Sequence, residues 1–262
     1  MLKLDAYKLK WIAIIGMFLN HMVITWWELF PHALRFPLYA AGGLTFPIMA
    51  YFVVEGYKHT RSLPKYMLRL FIVGLIAMPF HILAIGVPFA GGNPMMYPWL
   101  NIMFSIVLSL VVLALYDKIK FRAIFWILYV IVVVPVSFIF FEWYFVGITM
   151  VLLFHIIKNE RARRIVPPVF SAVMFFVLAL MMDLMPVPES MYDYLITNPD
   201  LGPVMMTFSI GSLAAAFLLA GYTGERGKRM KWLFYAFYPL HLAVLAAVAL
   251  ALGIIDLSVF GL

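Results

Sequence analysis

Apolar runs broken by short joins of charge, proline or glycine recur along all 262 residues of the chain. Nine such runs fall at about 11–30, 37–57, 70–90, 100–116, 123–141, 143–157, 169–187, 203–222 and 233–255. A helix needs about 20 predominantly apolar residues to cross the hydrocarbon layer, and most of the runs approach that length. The pattern predicts an all-α polytopic membrane protein of about nine transmembrane helices, forming one transmembrane helical domain over residues 1–262. The longest polar stretch, 186–203, is bracketed by prolines, carries Glu189, Asp193 and Asp200, and reads as an outer loop. No repeat of fixed period is present, and the matching halves of an inverted-repeat transporter are missing.

Composition agrees, since 66% of residues are hydrophobic, 12% are charged and the mean hydropathy is +1.02, far from a soluble domain. Charge then adds an orientation. Lys3, Lys8 and Lys10 fall on one side of a nine-span arrangement with the clusters at 58–69, 118–122, 158–164 and 226–231, and only Arg35 falls opposite. The positive-inside rule places the amino terminus in the cytoplasm and the carboxyl terminus outside. Glu28, Glu142, Asp183, Glu189, Asp193, Asp200 and Asp256 are biased to the outer side. The net charge of +7 is spread over separate loops without a nucleic-acid motif, so its partners are anionic lipid headgroups rather than nucleic acid. The absence of cysteine excludes disulfides, thiolate catalysis and Cys-ligated metals. The first run carries Asn and His and lacks a small-residue cleavage site, so it reads as a retained helix and not a signal peptide.

Proline inside the runs at Pro47, Pro79, Pro135 and Pro239 frees the carbonyls of Gly43, Leu75, Ile131 and Tyr235, each of which needs a donor. Ionisable groups inside the runs are the candidate chemistry, because burying them in a membrane costs insertion energy. His21 sits near the middle of the first run, about 15 Å of helix from either end, and shares a face with Thr25 and Glu28. Its neighbour Asn20 points toward the face of Gly16, where a small residue allows close helix approach. Glu55 closes the second run, with Lys58 and His59 near it, and Tyr238 and His241 share a face of the last. His81 is a reserve candidate, whereas His32, His59 and His155 lie at loops or run ends. No metal is expected, because no convergent ligand set is present. Lys58, Arg61, Lys65 and Arg69 form a basic rim suited to a phosphorylated ligand, with Pro64 opening the third helix.

The stretches KLKWIAIIGMFLNH, GGLTFPIMAYFVVEGYKHTRSLPKYMLRL, LNIMFSIVLSL and WLFYAFYPLHLAVL resemble the TraX family of membrane proteins in order and spacing. They cover roughly the first 110 residues and the last 30. The chain departs from the family pattern at Asn20, where Asp is usual, and at Leu44 and Thr45, where Arg and Ala are usual. Without that Asp, the partner carboxylate of His21 would be Glu55 or Glu28.

The resemblance implies an enzyme of a bacterial-type plasma (inner) membrane. It would move an acetyl group from cytoplasmic acetyl-CoA, a coenzyme A thioester, to an amine or hydroxyl acceptor on a peptide or small molecule, such as the amino terminus of a pilin-like peptide. His21 would be the general base, Asn20 its orienting or oxyanion group, and Glu55 and His241 catalytic partners, while Tyr238 and the Lys58–Arg69 rim would hold the donor. The residues leave two rivals open: a proton-coupled transporter with His21, Glu55 and His241 as relay groups, and a non-catalytic assembly scaffold.

Overall fold

The computed structural model describes residues 3–87, 100–184 and 201–255. Among them the chain forms helical segments at all the apolar runs: α1 (Ala6–Thr25), α2 (His32–His59), α3 (Leu63–Gly86), α4 (Ile102–Lys118), α5 (Arg122–Phe140), α6 (Tyr144–Ile156), α7 (Glu160–Leu184), α8 (Leu201–Ala220) and α9 (Lys231–Ala251). Seven are long and apolar enough to cross a membrane, whereas α4 and α6 span 17 and 13 residues. At 1.5 Å per residue α6 is about 20 Å long, shorter than a hydrocarbon layer. Its neighbours enclose it, and Val146, Ile148, Met150, Val151, Leu152 and Phe154 are all buried.

Local chemistry sets the boundaries. Asp5, Ser62, Asn101 and Asn159 accept the amides of Lys8, Lys65, Met103 and Ala162 and so cap α1, α3, α4 and α7. Pro64 lies in the first turn of α3, as the sequence suggests. The Asn159 cap starts α7 at Glu160, ahead of the run at 169–187, so Arg163 and Arg164 are helical residues and not part of a loop. The run at 11–30 is not one helix: α1 ends at Thr25, a 3-10 turn covers Trp27–Leu29, and Pro31 precedes α2. Single π-wound turns occur at Ile82–Gly86, three residues after Pro79, and at Tyr129–Val133, just before Pro135.

α2 runs through the middle and packs on α1, α8 and α6. Its contact with α8 is backbone to backbone, since a Cβ on Gly211 would stand 2.7 Å from the Gly43 Cα. That proximity lets the Ser212 hydroxyl donate to the Gly43 carbonyl at 3.3 Å, which Pro47 leaves without its helical amide. α5 lies at the rim, where Ile127, Val130 and Ile131 are 57%, 60% and 68% exposed and form a face suited to lipid.

The basic segments gather at one end. Leu4 pairs with Gly221 and Thr223, Arg164 donates to the Tyr222 carbonyl, and Tyr57 and His155 both bond Asp117. Arg163 is 3% exposed and holds Glu55 at 2.8 Å, Glu160 at 2.9 Å and the Tyr51 hydroxyl at 2.9 Å, joining α2 to α7. The opposite end carries Glu28, paired with Arg35, and the α5–α6 connection. The outer acids Glu189, Asp193, Asp200 and Asp256 lie outside the described residues.

Two stability changes follow. Gly211→Val should push α8 off α2 and lower stability by about 2 kcal/mol, read as a lower thermal midpoint of the detergent-solubilised protein. Arg163→Met leaves Glu55 with Lys58 and His59 alone, removes the joint between α2 and α7 and should cost about 2 kcal/mol; adding Glu55→Leu should recover part of the loss in the same measurement.

Candidate functional site

A cavity of about 150 Å³ opens between α1, α2, the last turn of α3, α4, the α5–α6 connection, α7 and α8. Its wall is mostly methionine and aromatic, with Asn20, His21 and Glu142 supplying polar groups. His21 lies four residues from the carboxyl end of α1, and the cavity runs from that end, opposite the basic clusters, inward to Met17 and Met49.

His241, on the buried side of α9, meets His21 with 2.7 Å between its Nε2 and the His21 Nδ1. The rings are 9° from parallel. His241 Nδ1 lies 2.8 Å from the Phe237 carbonyl, and the Phe237 ring stacks on the imidazole at a 4.5 Å centroid distance. A carbonyl can only accept, so Nδ1 of His241 carries the proton, and in the neutral ring Nε2 is then an acceptor. His21 must donate to it from Nδ1, which leaves its own Nε2 as a lone pair with no partner among the described residues. The hydrogen-bond chain therefore ends in a base on a cavity-lining residue.

Asn20 is 5% exposed and does not orient His21. Its amide donates to the Tyr39 carbonyl at 3.3 Å, and its side chain lies against Gly42, where a Cβ would collide with it. The partner of His21 Nδ1 is His241, not Asn20 or a carboxylate. Tyr238 is buried beside His241 at a 5.7 Å ring separation, as their shared face suggests.

The remaining expected site residues lie elsewhere. Glu55 is held by Arg163, with Lys58 at 3.6 Å and His59 at 3.8 Å, at the basic end. Glu28 is exposed beside Arg35, so neither acid reaches the imidazole pair. Arg61 and Lys65 are exposed on the connection into α3. Arg69 is half-buried near Tyr66, and its Nε has no hydrogen-bond partner among the described residues. The rim is thus a cationic surface at the basic end, whereas His21 lies near the other end of α1. No cluster of three His, Asp or Glu suited to a metal occurs among the described residues.

Sequence reasoning missed Glu142 as a site residue. It stands in the α5–α6 connection, lines the cavity, and accepts from His81 Nε2 at 2.8 Å. His81 is fully buried on α3. The next two residues, Trp143 and Tyr144, have φ of 62° and 46°, a left-handed conformation unusual for bulky side chains. The corner is tied down by Ser105, which donates to the Glu142 carbonyl at 2.8 Å, and by pairing with Leu100 at both 140 and 142. Asn101, next to Leu100, donates to the Gly74 carbonyl of α3 at 2.9 Å. Trp143 then meets Phe46, Phe175 and Phe208 at centroid distances of 4.7, 5.1 and 5.4 Å.

No solved structure matches the chain. It is 29% identical over 256 residues to a Dichelobacter nodosus protein named probable fimbrial assembly protein FimC, serogroup H1, covering 93% of this chain and 95% of that one. The profile described as TraX protein matches residues 6–249, which include every side chain of the imidazole pair, the Glu142 corner and the basic rim. The chain belongs to the TraX family.

Proposed function

We propose that this membrane protein is an acyltransferase that moves an acetyl group from acetyl-CoA to an amine or hydroxyl, with His21 as general base. The observation that carries the reading is the directed chain from the Phe237 carbonyl through His241 to His21. It leaves a neutral imidazole with its lone pair on a cavity-lining residue, the state a base needs before it takes the nucleophile's proton. When Nε2 of His21 gains that proton, the Nδ1 proton can pass to His241, whose cation is then stabilised by the Phe237 carbonyl. Both steps conserve the hydrogen bonds already present.

The basic rim supports a phosphorylated donor, because the exposed Arg61 and Lys65 offer cationic donors at one end. By the positive-inside rule that end faces the cytoplasm, where the thioester is found. From Lys10 to His21 is 11 residues of α1, or about 17 Å, which is the distance the acyl arm must reach into the bundle. The acceptor would enter from the opposite end. The fimbrial-assembly name of the Dichelobacter relative favours an exported peptide subunit as acceptor and the plasma (inner) membrane as location.

Purified protein in nanodiscs, given acetyl-labelled CoA and an amine acceptor, should bind the donor saturably and transfer label. His21→Ala should bind and fail to transfer. His241→Ala should lose about 100-fold in transfer rate, while His241→Gln, whose amide oxygen can still accept from His21, should lose less. A folded wild-type protein that binds no acetyl-CoA would sink the reading, and solute flux without transfer would favour the transporter.

A further inference from the structure

The acyl-transfer reading uses one base, but the cavity holds two. Glu142 and His21 both line it, and each is backed by its own buried histidine, His81 for the carboxylate and His241 for the imidazole. The Glu142 side chain is 19% exposed, so it is reachable from the cavity while its Oε1 stays bonded to His81. Ser105 of α4 fixes its main chain by donating to the Glu142 carbonyl. The carboxylate is held there by two consecutive bulky residues in the left-handed region, a conformation that persists only where surrounding structure imposes it. Aromatic rings of Phe46, Trp143, Phe175 and Phe208 stand beside it, a setting that also suits a cation.

Two proton acceptors match a particular balance. A primary alkylamine is an ammonium ion at neutral pH, with its lone pair held by the third proton. Acetylation then runs as R–NH3⁺ plus acetyl thioester to amide, free thiol and one proton. The first proton must leave before nitrogen can attack; the second leaves as the C–N bond forms and the C–S bond breaks, and it ends on the departing sulfur.

We infer that Glu142, positioned by His81, is the first proton acceptor, converting a bound ammonium into the amine that attacks, while His21 takes the second proton and returns it to the thiolate. The inference rests on the acyl-transfer reading and deepens it. It makes the carboxylate necessary only for acceptors that arrive protonated.

Two probes separate the roles at pH 7: 2-phenylethylamine, which is protonated, and aniline, which is neutral. With acetyl-CoA as donor in nanodiscs, Glu142→Gln should lose about 100-fold on phenylethylamine and stay within about threefold of wild type on aniline. Glu142→Asp should recover part of the phenylethylamine rate, and His21→Ala should lose both acceptors. Equal losses on both amines in Glu142→Gln, without recovery in Glu142→Asp, would show that the carboxylate only shapes the corner and would overturn the inference while leaving acyl transfer standing. Wild-type protein that acetylates neither amine would overturn both.

Discussion

A backbone carbonyl in hydrocarbon has no water to turn to, and this bundle is organised around that constraint. Side chains from neighbouring helices donate to main-chain oxygens: Ser212 to Gly43, Thr45 to Ala13, Asn101 to Gly74 and Asn20 to Tyr39. Each bond fixes two helices at a set height and rotation. His241 obeys the same rule within its own helix, on the Phe237 carbonyl, and there the structural bond acquires a chemical result. Satisfying one oxygen decides which nitrogen of His241 is protonated, and that choice propagates to His21. The tautomer of the candidate base is thus set by backbone satisfaction and needs no carboxylate on α1.

The same bundle keeps two polar regions apart. Arg163, Glu55, Glu160 and Tyr51 bind the basic end together, while His21, His241, His81 and Glu142 occupy the other. Between them lie Leu9, Ala13, Ile48, Ala50, Leu110 and Leu113, all fully buried. The Arg163 network is a joint between helices, and it holds Glu55 at the basic end, away from the imidazole pair. The cationic rim and the buried histidines therefore stand at opposite ends of the helices.

Much of this was legible in the sequence because a titratable group inside an apolar run has few innocent explanations. His21 and His241 were identified that way, and they meet although 220 residues separate them. The helix-forming runs were equally plain, as were the Gly16 contact and the need of the Gly43 carbonyl for a donor. Glu142 was hidden because it lies at a break between runs, where an acid looks like an ordinary outer-edge charge. Its approach to the cavity depends on the backbone at Trp143 and Tyr144, and neither residue type signals a left-handed turn. Glu55 stands at the end of the second run, and its partner Arg163 belongs to what reads in the sequence as a solvated basic cluster. Pairings between distant helices follow from bundle rotation, which hydropathy does not encode.

The corner at Glu142 also makes α4 a lever. The carboxylate is carried on backbone that would relax if left alone, and what restrains it is the amino end of α4, through Ser105 and the Leu100 pairing. The place of an acid in the cavity wall is therefore set by a helix other than those carrying the two histidines of the imidazole pair, and the position of Glu142 is coupled to that of the amino end of α4.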